Sequence, residues 1–348
     1  MGKSLQTPEV TVLITAHNEA EQIEPCLHAI LEQNFPMERV EILLIDDRST
    51  DRTAEYARRM CGDRLRVVRI DHPPERLTTR QVALDTGIRM ARGEVVLITD
   101  VDGRVPREWI HELTGHLSHR DGAVSAPVIF AGGWRVMARY QTLDALVRFT
   151  LYRWANRHGL ASGLVGANLA VRRSAYLQSG GLEAVGFAPA EDLALGAALS
   201  HSGWTLRYLT RPVVRNEACR RVSELIARDR RRVRHGARSL TLITLAYLLV
   251  NWLLIGLAVA LGGIWMLLLV VRYLVGMFGI VTAVTQYGSL RLLKWVYLYE
   301  PLILLQLTWV YLSNLVRPRL RWGGQTYDRR GPIRSEAAAE RSSGSLAE

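Results

Sequence analysis

The chain has 348 residues of ordinary overall composition, enough for one large domain with an appendage or for two domains. Its net charge of +11 and pI near 10 narrow the partners to phosphate ligands, a membrane surface or nucleic acid. Cys26, Cys61 and Cys219 lack C-x-x-C spacing, which excludes a metal finger and reads as reduced thiols of a cytoplasmic domain.

The polar N-terminus, Met1 to Glu9, shows no signal peptide, and a strand begins at once. Short β-branched runs predict strands at Val10–Thr15, Val40–Ile45, Leu65–Ile70 and Glu94–Thr99. Helical periodicity fills the gaps at Glu19–Gln33, Asp51–Met60 and Thr78–Ala91. This alternation predicts an α/β fold, a parallel sheet with helices on both faces. The loops that follow the strands hold Ala16-His17-Asn18-Glu19, Asp46-Asp47-Arg48-Ser49, Asp71-His72 and Asp100-Val101-Asp102. They share the C-terminal edge of the sheet, where open α/β sheets bind ligands. Asp100 and Asp102 repel each other unless a cation lies between them. Hard oxygen ligands suit Mg²⁺ or Mn²⁺, which in turn hold a diphosphate. An isolated D-x-D is ordinarily a solvated loop; the other polar loops on the same edge give this one its meaning.

After Pro106 the pattern predicts a helix to about Leu117, a strand at Ala123–Ile129 and a long helix from Trp134 to Arg157. On that helix Arg135, Arg139, Arg153 and Arg157 fall within a ~40° arc. Val136, Met137, Tyr140, Leu143, Val147, Leu151 and Trp154 lie on the other side. Such a helix either rests on a membrane surface or covers the sheet with an Arg-rich solvent face. Glu191-Asp192 opens a helix expected over Asp192–Ser200, so either acid also serves as an N-terminal capping anion.

From Ser239 to Val316 the chain is apolar, in three runs at about 240–261, 264–285 and 292–316, each long enough to cross a bilayer. Arg228, Arg230, Arg231, Arg232, Arg234 and Arg238 precede them; Arg317, Arg319, Arg321, Arg329 and Arg330 follow. Arginines that flank apolar runs favour the membrane. Three full crossings would put Arg317, Arg319 and Arg321 outside, against the positive-inside tendency. Glu300-Pro301 inside the third run favours a re-entrant or interfacial segment instead. The expected organisation is a catalytic domain at 1–238, transmembrane or interfacial helices at 239–316, and a basic, partly disordered tail at 317–348.

Thr15-Ala16-His17-Asn18-Glu19, Asp46 to Asp51, Asp100-Val101-Asp102, Gly166-Ala167-Asn168, Glu191-Asp192 and the Arg-rich segment before the first apolar run come in an order that resembles the family 2 glycosyltransferases. The resemblance covers roughly residues 9 to 238 and implies the GT-A fold, a nucleotide-diphospho-sugar donor (uridine is the family's commonest base) and inversion. It implies that Glu19 and Asp47 hold the nucleoside, that Arg80 contacts the nucleotide, and that Asp100 touches donor sugar or ribose. Asp102, with Asp100, would bind Mg²⁺ or Mn²⁺, and Asp192 would be the general base. Arg230 or Arg232 would neutralise the departing diphosphate. Three positions depart from the family's pattern. Asp85, in the run that follows Arg80, stands where Asn is usual. Asp229 stands where Gln is usual. Val233 stands where processive polysaccharide synthases carry a Trp, which argues for single transfers. The expected acceptor is a lipid or lipid-linked hydroxyl at the cell membrane, reached by a multi-pass protein whose catalytic domain is cytoplasmic. A processive synthase and a catalytically silent membrane scaffold are the competing readings. Nucleic acid is not expected, because no aromatic-and-basic strand motif accompanies the charge.

Overall fold

The computed structural model describes residues 8–72, 75–133, 135–160, 162–234, 238–316, 319–322, 325–328 and 331–332. Arg317, Arg329, Arg330 and the expected disordered end beyond residue 332 lie outside the described residues. In chain order the elements are β1 (Val10–Ala16), α1 (Ala20–Leu31), β2 (Val40–Asp47), α2 (Thr53–Cys61), β3 (Leu65–Ile70), α3 (Thr79–Met90) and β4 (Val95–Asp100). Next come α4 (Trp109–Gly115), β5 (Asp121–Ser125), β6 (Val128–Ala131), α5 (Arg135–Arg157), β7 (Leu169–Arg172), α6 (Arg173–Gln178), α7 (Gly181–Val185) and α8 (Glu191–His201). The chain continues through β8 (Thr205–Tyr208), β9 (Val214–Glu217), α9 (Val222–Arg234), α10 (Arg238–Leu261), α11 (Ile264–Gln286), α12 (Val296–Val316), β10 (Leu320–Trp322) and β11 (Gln325–Tyr327).

Seven strands form one sheet in the order β3-β2-β1-β4-β7-β5-β8. The first four run parallel, as the strand-helix alternation requires. β7 enters antiparallel between β4 and β5, so the complete sheet is mixed. Register aligns Ala16 with Asp46 and Thr15 with Asp100, which brings three polar loops to one edge. Alternate residues of the central strands are buried on opposite faces. Val12, Ile14, Ile42 and Leu44 pack with α1, α2 and α4; Leu13, Leu43 and Ile45 pack with α3 and α6 to α8. Both faces being covered explains why these strands read as continuous apolar runs. A Cβ at Gly87 would collide with Leu13, so this glycine lets α3 lie close to the sheet.

Two expectations need correction. The run Ala123–Ile129 is two strands, because Pro127, with no N–H to give a ladder, separates β5 from β6. β6 pairs instead with β9 in a separate two-stranded sheet. The apolar side of α5 also differs from the helical-arc reading. Leu143, Leu146 and Phe149 pack against Ile280, Val284, Val296 and Tyr299, so α5 joins the catalytic fold to the C-terminal helices. Leu151 and Trp154, assigned to that apolar side, are 49% and 48% exposed.

The C-terminal helices are of two kinds. α10 and α11 form a hairpin, and Thr241–Leu261 and Ile264–Gln286 are long and apolar enough to cross a membrane. α12 lies along the α/β domain. Tyr299 Oη donates to Asp144 on α5 (3.2 Å), Gln306 Nε2 donates to Asp229 on α9, and Asn314 Oδ1 accepts from Arg230 (3.1 Å). Its outer face is a stripe of exposed Leu302, Leu305, Trp309, Leu312 and Val316, spaced three and four apart. Pro301 leaves the Tyr297 carbonyl without its helical donor, and Tyr273 Oη fills that place at 2.7 Å. Arg272 and Glu300 pair across α11 and α12, with Arg272 stacked on Tyr247 of α10 at 5.0 Å. Beyond α12 the chain returns to the catalytic domain: Tyr327 is buried, accepts from the Thr79 amide (3.5 Å) and stacks on Phe187 (5.7 Å).

Candidate active site

The β1–α1 and β2–α2 loops are locked together before any ligand is considered. Asn18 and Arg48 both adopt the left-handed region (φ 57°), uncommon outside glycine. Asn18 Oδ1 accepts from the amides of Thr50 (2.8 Å) and Asp51 (3.3 Å). Asp51 accepts from the amides of Ala20 and Thr53, each at 3.0 Å, at the starts of α1 and α2. Asp46 is buried and accepts from Ser49 (3.0 Å) and Arg69 (2.8 Å), which leaves Asp47 facing the edge with Arg48 Nε at 2.8 Å. Tyr327 sits close enough for Asp47 to raise its pKa, although burial is the larger cause.

The carboxylates gather beside these loops. Asp102 Oδ1 accepts from Asn216 Nδ2 (2.9 Å) and Oδ2 from the Glu217 amide (3.1 Å), both on β9. Burial and then the Asp100 charge push Asp102 up to about 6. Glu19 rises to about 7, first by burial and then by the charges of Asp102 and Asp100. Asp102 and Glu19 are thus raised both by burial and by the acids beside them.

Arg80, from the first turn of α3, spans the pocket. It pairs with Asp100 through Nη2 and with Glu191 through Nε (2.6 Å). Burial raises the pKa of Glu191, and Arg80 opposes that rise. The neighbouring Asp192 sits at the start of α8, where its Oδ1 accepts from the Leu193 amide (2.9 Å). Gly166 closes the space between them: a Cβ there would lie 3.7 Å from Asp192 Cβ and 3.8 Å from Arg80 Nη2. Asp100, Glu191 and Asp192 are thus brought together around Arg80 and Gly166.

On α9 the arginines diverge. Arg230 reaches Asn314 of α12. Arg232 pairs with buried Asp229 at 2.9 Å, and the Asp192 charge also acts on it. Arg231 is the arginine of this run that feels Glu191 most strongly; burial lowers its pKa to about 10. Sequence reasoning missed Arg231, Asn216 and Glu217 as neighbours of the acids. A buried asparagine at an inward position of β9 was the available signal for Asn216. Asn168 is fully occupied: it accepts from Trp109 Nε1 (2.9 Å) and donates to the carbonyls of Pro127 (2.8 Å) and Pro212 (2.9 Å). It holds the fold under the site.

Residues 11–179 match the family model described as Glycosyl transferase family 2. The probable glycosyltransferase YdaM of Bacillus subtilis is 28% identical over 215 residues, 58% of this chain and 49% of that protein. The beta-monoglucosyldiacylglycerol synthase of a Nostoc species is 26% identical over 219 residues, 60% of this chain and 45% of that protein. The chain thus spans about half the length of these curated relatives. Among solved structures, a mannosyltransferase from Pyrobaculum calidifontis in complex with GDP-Man and Mn²⁺ superposes with a TM-score of 0.54 at 21% identity. The match covers 85% of this chain and 88% of that one, and it shows a shared GT-A fold.

Proposed function

The chain belongs to glycosyl transferase family 2, and from that membership we propose that it moves a sugar from a nucleotide-diphospho-sugar to a lipid or lipid-linked hydroxyl, with inversion. The observation that carries this reading is Arg80, which ties Asp100 to Glu191 and so joins the donor acids to the Glu191-Asp192 pair.

Asp100 and Asp102 suit a divalent ion. They are hard oxygen ligands, and Asp102 carries a raised pKa that a cation would relieve. Among the described residues no group of three or more His, Cys, Asp or Glu is arranged to hold a metal. Two carboxylates with substrate phosphates and water are, however, the usual provision for Mg²⁺. When bound, the ion supplies Lewis-acid stabilisation to charge on the leaving nucleoside diphosphate. Asp47 and Glu19 border the nucleoside end, where an acid accepts from ribose or base. Burial, and then the charges of Asp102 and Asp100, push Glu19 up to about 7, so a cation held by those acids would favour its ionised, accepting form. Arg231 and Arg232 bring positive charge to the side where the diphosphate departs; Arg230 is held by Asn314 and acts through the packing of α12.

Asp192 takes the proton of the acceptor hydroxyl as that oxygen attacks the anomeric carbon. One base and one in-line displacement invert the configuration. The acceptor comes from the membrane side. The α10–α11 hairpin enters the bilayer, and the Leu/Trp stripe of α12 rests on its surface. This arrangement returns the chain to the catalytic side after two crossings, which satisfies the arginine distribution that three crossings would violate. A beta-monoglucosyldiacylglycerol synthase among the relatives supports a lipid acceptor.

The test is donor turnover by the purified full-length chain against a panel of nucleotide sugars, with and without Mn²⁺ and with chelator. Asp192→Asn is expected to lose at least about 10²-fold in transfer while donor affinity holds. Transfer at the native rate by this variant would remove Asp192 from the mechanism. Full activity in chelator would remove the metal.

A further inference from the structure

A second polar concavity of about 440 Å³ lies off the starts of β5 and β8. β5 runs parallel to β4, so its start belongs to the sheet edge opposite the carboxylate cluster. Arg120, Arg153, Arg157 and Arg207 line it, and Asp121 is the one acid among its lining residues. That acid is already engaged. Its carboxylate accepts from Arg207 Nε (2.8 Å), Thr205 Oγ1 (2.7 Å) and the Ser118 amide (2.9 Å). Arg120, Arg153 and Arg157 make no carboxylate ion pair among the described residues. Arg153 and Arg157 are like charges one helical turn apart, which repel. Arg153 also has a buried Nη1 with no hydrogen-bond partner. Three guanidinium groups around one cavity, none paired with a carboxylate among the described residues, suit a phosphate ester, which accepts bidentate bonds from arginine.

The surroundings say where that phosphate comes from. Thr150, one turn before Arg153 on α5, donates to the hydroxyl of Tyr287 (3.4 Å), the residue that caps α11, and the Arg153 charge lies close enough to act on that hydroxyl. The same turns of α5 expose Leu151 and Trp154 on the other side of the helix, with the His158 ring tilted against Trp154 at 4.6 Å, and Leu290 is exposed just beyond Tyr287. Exposed tryptophan and leucine at the same level as the arginines, at the foot of an apolar helix, match the headgroup level of a bilayer. We propose that this pocket seats the phosphate of an anionic membrane-lipid headgroup, apart from the donor site. The inference rests on reading α10 and α11 as membrane-embedded and is independent of the sugar transferred.

Vesicle flotation would not report on the pocket, because the apolar hairpin alone would carry the chain. The experiment is native mass spectrometry of the full-length protein from mixed micelles holding equal phosphatidylglycerol and phosphatidylcholine. The wild type is expected to retain phosphatidylglycerol preferentially. The Arg153→Gln/Arg157→Gln variant should lose that preference on the order of tenfold. Arg139→Gln, a control on the same helix whose guanidinium lies over Trp295 at 4.9 Å, should keep it. Lipid retention without anionic preference in the wild type overturns the pocket assignment but leaves the membrane reading standing. A protein that carries no lipid and stays monodisperse without detergent overturns the membrane reading itself. A thermal shift with inorganic phosphate, in lipid-free micelles, that matches the phosphatidylglycerol shift and vanishes in the double variant would assign the site to free phosphate and overturn the lipid source.

Discussion

Asp102→Asn should stabilise the metal-free protein at alkaline pH. The folded protein raises Asp102 from an ordinary carboxylate value of 3.8 to about 6. Between those values the native state holds a proton that the unfolded chain has released, so stability falls as pH rises through the window. The penalty is complete above about pH 6 and absent below about pH 4. A shift of roughly two units corresponds to about 3 kcal/mol. Asparagine removes the charge but keeps one acceptor for the two donors, Asn216 Nδ2 and the Glu217 amide, and loses about 1 kcal/mol thereby. With solvent screening, the net gain is about 1–2 kcal/mol at pH 8, a rise of roughly 1–3 °C in Tm for a chain of this length. Scanning fluorimetry of the full-length protein in neutral detergent with chelator, at pH 8 and pH 4, reads it directly. Adding Mn²⁺ should raise the wild-type Tm and leave the variant unmoved. A variant that melts below wild type at pH 8, or an equal difference at both pH values, would refute the electrostatic reasoning.

Arg80→Gln strands Asp100 and Glu191 together, so denaturant unfolding should show a loss of about 3–5 kcal/mol; Arg80→Lys should recover only part, since one ammonium cannot reproduce both contacts. Asn168→Leu leaves the buried Trp109 N–H and two proline carbonyls without partners, which predicts a loss of about 3 kcal/mol in unfolding free energy with donor affinity retained by the folded fraction. A cysteine at Gln325 should resist an impermeant maleimide on intact cells and react only after permeabilisation. Labelling from outside would mean that α12 crosses the bilayer.

The central strands β1, β2 and β4 were legible because both of their faces are covered, so each reads as a nearly continuous apolar run; β3, half-buried at the sheet edge and interrupted by Arg66 and Arg69, still has bounds that agree with the structure at both ends. In the third apolar run Glu300-Pro301 already favoured an interfacial segment over a crossing, but its packing on α9 was not legible, because hydropathy reports a residue's distaste for water without saying whether protein or lipid relieves it. Gln306 and Asn314, both turned toward α9, were polar hints within that run. The proximity of Asn216 to Asp102 depends on a pairing 114 positions apart, which no local period encodes. Within α9, helical phase separates adjacent arginines: Arg230 faces α12 while Arg231 faces Glu191, and a string of identical residues conceals that difference. Leu151 and Trp154 fell on the expected arc of α5, but the partner helices cover only its earlier turns.

Tyr327 makes the apolar hairpin and α12 an insertion within the catalytic domain rather than an appendage to it. The polypeptide leaves the domain at the end of α9 and re-enters it where Tyr327 meets Thr79 and Phe187. A soluble version cut at residue 238 would therefore lose a wall beside Asp47. One in which 239–316 is replaced by a short bridge would keep it. Where the hairpin enters a bilayer as proposed, two points of attachment would also fix the height and tilt of the domain above it, as two hinges fix a door. An acceptor hydroxyl would then have to lie at one set distance from the lipid surface, and selection would act by reach as well as by chemistry.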